Sequence, residues 1–89
     1  IVVNKRSNIE MSNKLAQELF EYGRREFVGQ SIDFLFPEIK QLVANNDPIL
    51  TNAKKKSGET FPVEVYVHEF DEFLFAHVQD ISERMRLQT

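Results

Sequence analysis

The stretch "KKKSGETFPVEVYVHEFDEFLFAHVQD", residues 54–80, decides the fold. Within it "FPVEVYVHEF" (61–70) alternates apolar and polar side chains at period two, as a strand with one buried face does. Asp71-Glu72 makes a tight connection, and "FLFAHVQD" (73–80) returns as a second strand. Upstream, residues 49–56 read as a strand turning at Ser57-Gly58, where glycine supplies the positive φ that a tight turn needs. Pro62 stands near a strand start, where a missing N–H does least harm. Lys54, Lys55 and Lys56 then read as a solvated strand edge, charged against sheet-to-sheet pairing, rather than as an anion site.

The short connection fixes the register. Phe70 opposes Phe73, so Val67 faces Ala76 and Val65 faces Val78 on the side that carries the core. The other side then holds the pairs Tyr66–His77, His68–Phe75 and Phe70–Phe73. Four aromatic rings and two imidazoles make a larger apolar patch than a monomer usually exposes.

Working outward, "IVVN" (1–4) and "IEM" (9–11) read as strands of a hairpin around a polar turn. Ser12 and Asn13 are helix caps ahead of "KLAQELF", where Leu15, Ala16, Leu19 and Phe20 share a face. Gly23, after Tyr22, is expected to stop that helix. Residues 24–38, punctuated by Gly29 and Pro37, read as short helical turns, and 38–44 as at most two turns more. Asp80-Ile81-Ser82-Glu83 has the spacing of a capping box that opens a polar terminal helix. The order is two strands, short helices, three strands and an outgoing helix. The expected class is α+β, an antiparallel sheet with its helices gathered on one face.

Eighty-nine residues make one domain. A chain of that size buries roughly 60–70% of the surface its unfolded form exposes, enough for one modest core. Apolar content of 42%, with eight phenylalanines, supplies that core and excludes a disordered tail. A net charge of −3 gives no reason to bind nucleic acid or an acidic membrane surface. The absence of cysteine removes disulfides, zinc-thiolate sites and thiol nucleophiles. No apolar run reaches the length of a membrane span. The opening directly on a β-branched run suggests a piece of a longer protein.

These pieces together resemble a PAS domain, the sensory module of bacterial signalling proteins. "IVVN" matches the family's first strand, and Asn13 with Ala16 its first helix. "LFEYGRREFVGQSI" (19–32) is similar to the family's "LFGYSREELIGRSL", and Phe36-Pro37 follows where a proline is usual. "KKKSGETFPVEV" is similar to the hairpin "R-K-D-G-S-x-F-P-V-E-V", and "QDISER" to the closing "D-I-T-E-R". The chain departs from the pattern in lacking the Asp and Gly of the first turn. Only about 18 residues lie between Pro37 and Lys55, which shortens the helix that usually walls the pocket.

The resemblance implies a five-stranded antiparallel sheet of order 2-1-5-4-3. It implies a sensory domain over 1–80, with 81–89 beginning an outgoing signalling helix. A ligand pocket would be lined by Leu15, Leu19, Phe20, Phe27, Ile32, Leu35, Val63, Val65, Val67, Leu74, Ala76 and Val78. A homodimer would form through Tyr66, His68, Phe70, Phe73, Phe75 and His77. Asp80, Ser82 and Glu83 would relay the change to an effector domain in the same cytoplasmic protein. Which ligand or cofactor the pocket takes is left open. A cysteinyl-flavin has no cysteine to form on, and neither histidine lies on the helix from which relatives hold haem. His68 and His77 alone fall short of a zinc set. Glu64 and Glu69, on opposite faces of their strand, cannot act as a catalytic dyad. The expectation is therefore no enzyme. The competing reading is a ligand-free interaction module.

Overall fold

The structure, a computed structural model, describes residues 1–39, 43–44 and 46–87. Five strands form one antiparallel sheet: β1 (Val2–Val3), β2 (Ile9–Met11), β3 (Ile49–Lys54), β4 (Thr60–Phe70) and β5 (Phe73–Asp80), in the order β2-β1-β5-β4-β3. Between β2 and β3 come α1 (Lys14–Phe20), α2 (Arg24–Phe27) and a 3-10 turn (Ile32–Phe34); α3 (Ser82–Leu87) follows β5. The turns expected over 38–44 lie largely outside the described residues.

β4 carries the fold. Phe61, Val63, Val65 and Val67 are buried in strict alternation, and the register across β5 pairs Val65 with Val78, Val67 with Ala76 and Phe70 with Phe73. Pro62 sits inside the strand rather than at its first residue. Its carbonyl accepts from the Ile81 N–H at 3.1 Å, on the side where β5 has already ended. N–H and C=O of one strand residue point the same way, so the proline nitrogen faces that end and removes no bond from the β3 ladder.

The buried face meets a cluster of rings. Phe20 stands 5.9 Å from both Phe27 and Phe36 and 5.7 Å from Phe61, centroid to centroid, and Tyr22 stacks on Phe27 at 5.5 Å. Offset and edge-on pairs of this kind add about 0.5–1.5 kcal/mol each beyond the area they bury. Ile9, Ile32 and Leu35 complete the core around them.

Several local expectations are corrected. Asn13 caps α1, accepting from the Ala16 N–H at 2.9 Å, but the helix ends before Gly23: Glu21 takes the left-handed conformation (φ 65°) and closes the last turn. Gly23 instead precedes α2, its N–H donating to the Glu26 carboxylate at 3.2 Å. In the β1–β2 turn, Asn4 does the work of the missing aspartate. Its side-chain oxygen accepts from the Arg6 and Asn8 N–H groups (2.9 and 3.1 Å), and Ser7 takes the glycine-like conformation (φ 64°). The lysines are not a bare edge. Lys55 bridges Glu59 (3.1 Å) and Glu21 (3.8 Å) and lies over the Phe61 ring, while Lys56 pairs with Glu26. They tie the β3–β4 hairpin to the helices; of the three, Lys54 is exposed and its side chain meets no carboxylate among the described residues. The Glu59 bond first, then the neighbouring carboxylates, push the Lys55 ammonium pKa up, and Lys56 with the Gly23 N–H pulls Glu26 down.

The outer edge of β2 is also engaged. Ile9 donates to Gln30 (2.8 Å) and accepts from Gly29 (2.7 Å), and the Ile32 N–H reaches Ser7 (2.7 Å). Gly29 has φ 93°, which lets the chain turn back along the strand.

Candidate functional site

The face of the sheet away from the core carries Tyr66, His68, Phe70, Phe73, Phe75 and His77, in the cross-strand pairs read from the sequence. Tyr66 and Phe73 are half-buried, while Phe70 is 73% and Phe75 41% exposed. Phe70 also meets Phe75 edge-on at 6.5 Å, and the Tyr66 ring lies 6.2 Å from His77. Leu50 of β3, opposite Glu64, extends the same face and is exposed. The sequence reading missed Leu50, although the hairpin register at Ser57-Gly58 places it there.

At one end this face joins α3. Glu64, on the same side of β4 as Tyr66, accepts from the Tyr66 hydroxyl at 2.6 Å and from the Arg84 guanidinium at 2.9 Å. The hydroxyl bond first and the arginine second hold the Glu64 carboxyl below the usual range, and the same carboxylate pushes the Tyr66 phenol up. Ile81, at the head of α3, is buried, and its N–H is tied to Pro62. The helix therefore leaves the domain clamped to β4 by one apolar and two polar attachments. Of the three relay residues, Asp80 accepts from both the N–H (2.9 Å) and the hydroxyl (2.6 Å) of Ser82. Glu83 faces Arg86 at 3.3 Å, one turn on, instead of reaching back as a capping box requires. Glu64 and Arg84 were the residues the sequence hid.

The pocket residues divide into three groups. Phe20, Phe27, Ile32, Leu35, Val63, Val65, Val67 and Ala76 are buried against one another as core, and Leu74, partly buried, borders a separate cleft beside the β4–β5 turn. Leu19 and Val78 are also partly buried; with Ala76 and Leu15 they line a cleft of about 130 Å³ between α1 and β5. Leu15 is 74% exposed and corrects the expectation of an interior position: the first turn of α1 overhangs the sheet, so the side chain reaches only the rim. Cofactor sites usually enclose about 300–1,000 Å³, so this cleft suits only a small occupant. Among the described residues no three His, Asp or Glu side chains converge as metal ligands, and no helix is long and apolar enough to cross a membrane.

A five-stranded antiparallel sheet in this order, with helices on one face and a helix leaving its last strand, defines a small α+β module. The chain matches the PAS domain family over residues 1–83, and it belongs to that family. No curated protein matches it. PAS domains are sensory and signalling input modules that commonly mediate association and are generally non-catalytic.

Proposed function

We propose that this chain is the non-catalytic input module of a cytoplasmic bacterial signalling protein, with 1–80 as the sensing unit and 81–89 as the start of the helix toward an effector. It associates with a second copy through Tyr66, His68, Phe70, Phe73, Phe75 and His77, and the sharing of that face passes to α3 through Glu64. The observation that carries this reading is the single carboxylate of Glu64, held on one side by Tyr66 of the apolar face and on the other by Arg84 of the outgoing helix. A partner covering Tyr66 changes the surroundings of Glu64, and with them the hold on Arg84; the two packings of the helix then differ in free energy with the state of the face.

Sedimentation velocity of the wild type and Phe75→Glu tests the association. Wild type should run as a dimer at high concentration and the variant as a folded monomer; a wild type monomeric throughout overturns it. A second reading, a ligand-free interaction module, draws support from the close packing of Phe20, Phe27, Phe36 and Phe61. Native mass spectrometry separates the two. A stoichiometric small molecule on the purified protein means sensing by ligand, with the cleft at Leu19 and Val78 as its seat; bare protein favours the ligand-free interaction module.

A further inference from the structure

A second surface lies away from the aromatic face. The end of β2, the first turn of α1 and the start of α2 border an open cleft of about 810 Å³, whose lining includes Glu10, Met11, Lys14, Arg24, Arg25 and Val28. Met11 is 66% and Val28 41% exposed, so the apolar part faces solvent. Lys5, Lys55, Lys56, Arg84 and Arg86 each face a carboxylate. Lys14, Arg24 and Arg25 have no such partner among the described residues, and the one acid of the cleft, Glu10, is bonded to the Asn4 amide at 2.6 Å.

Three unpaired cations around an exposed methionine and valine, on a chain whose net charge is −3, form a local field opposite in sign to the whole. We infer that this cleft is a docking site for an acidic amphipathic segment of a partner protein, one that sets an apolar side chain on Met11 and Val28 and carboxylates against Arg24, Arg25 and Lys14. The exposed apolar pair separates this from a site for a free anion, which would leave Met11 and Val28 in water. The small number of cations and the acidic remainder separate it from a polyanion track. Methionine fits the role, because its unbranched, polarisable side chain adapts to different apolar partners. Guanidinium forks beside it bind carboxylates in two-point contacts that a lysine cannot make. The proposal does not depend on the outer sheet face.

The test uses fluorescence anisotropy with a labelled synthetic peptide carrying leucines at helical spacing among glutamates. Its counterpart with lysine for glutamate, and vesicles rich in phosphatidylserine, serve as the other two arms. The acidic peptide should bind saturably and lose affinity as salt rises. The double variant Arg24→Glu/Arg25→Glu should weaken it about tenfold, and Met11→Ser should weaken it without changing the salt dependence. Lys54→Glu, an exposed charge elsewhere, and Phe75→Glu should leave binding as it is. All the substituted side chains in the cleft are exposed, so folding checked by circular dichroism should be unaffected. The inference is overturned by equal binding of the basic peptide, by unchanged affinity in the double variant, by an absence of saturable binding, or by binding to the vesicles alone.

Discussion

Replacing Phe20 by alanine asks whether the helix-bearing face of the sheet is a filled core or the wall of a vacant pocket. The side chain is fully buried and meets the rings of Phe27, Phe36 and Phe61. Truncating a phenylalanine in such surroundings costs about 3–5 kcal/mol, made up of lost transfer energy and of a cavity that three neighbouring rings cannot fill by relaxing. A domain of this length has a total stability of about 4–13 kcal/mol, from 0.05–0.15 kcal/mol per residue. The variant should therefore lose a quarter of its stability at the least and unfold at 25 °C at the most. Urea denaturation followed by circular dichroism measures it; where the variant still folds, its melting temperature should fall by at least about 12 °C, at 4 °C or more per kcal/mol. A loss under about 1.5 kcal/mol would refute the reasoning. It would mean that Phe20 borders an existing pocket and gives up few packing contacts on truncation, and the interior pocket expected from family resemblance would be restored.

Glu64→Gln and Arg84→Ala should each release α3, seen as faster amide exchange at residues 82–87 with β4 and β5 still protected; unchanged exchange there would remove Glu64 from the relay. The same junction carries a pH dependence. The folded Glu64 pKa lies below its unfolded value, so its contribution is full above about pH 4.3 and is lost as pH falls through the folded value; Glu64→Gln should flatten the profile in that acid range. Ser7→Gly should stabilise the fold by about 1 kcal/mol, because Ser7 holds a left-handed backbone that glycine adopts freely, and a destabilised variant would show that the serine side chain matters more than its backbone. Asp80→Ala should increase fraying at the head of α3 by removing the acceptor for the Ser82 N–H and hydroxyl, with helix exchange as the readout and no change as the refutation.

Strand pairing was legible because period-two patterning and a connection at Asp71-Glu72 leave a single register that buries Val63, Val65 and Val67 together. Helix ends were less so. Gly23 reads as a stop signal because glycine is commonest just after a helix, but it can also precede one, and Glu21 takes the left-handed geometry instead. Leu15 had the correct spacing for the core, yet spacing does not say where a helix overhangs its sheet. The clamp at Glu64 escaped notice because its partners come from two elements: Tyr66 is two residues on along the same strand, whereas Arg84 lies a hairpin and a helix start away. The lysines show the same limit: Lys54 is exposed on an edge strand as read, but Glu21, just past α1, and Glu26 of α2 reach Lys55 and Lys56 through the tertiary fold.

The bonds from Ile9 to Gly29 and Gln30 have a consequence for assembly. With the N–H and C=O of Ile9, its first residue, occupied, β2 offers less to a strand arriving from another molecule. On the other border of the sheet, among the described residues, the Lys54 amide of β3 donates to Leu35. Two copies joined β3 to β3 would meet about a two-fold axis, and the product would present β2, engaged at Ile9, at each extremity. Such a pair is a terminated object. A ribbon that lengthens by adding monomers end over end would have to strip the 29–32 segment from every β2 it joined, which works against growth into fibres.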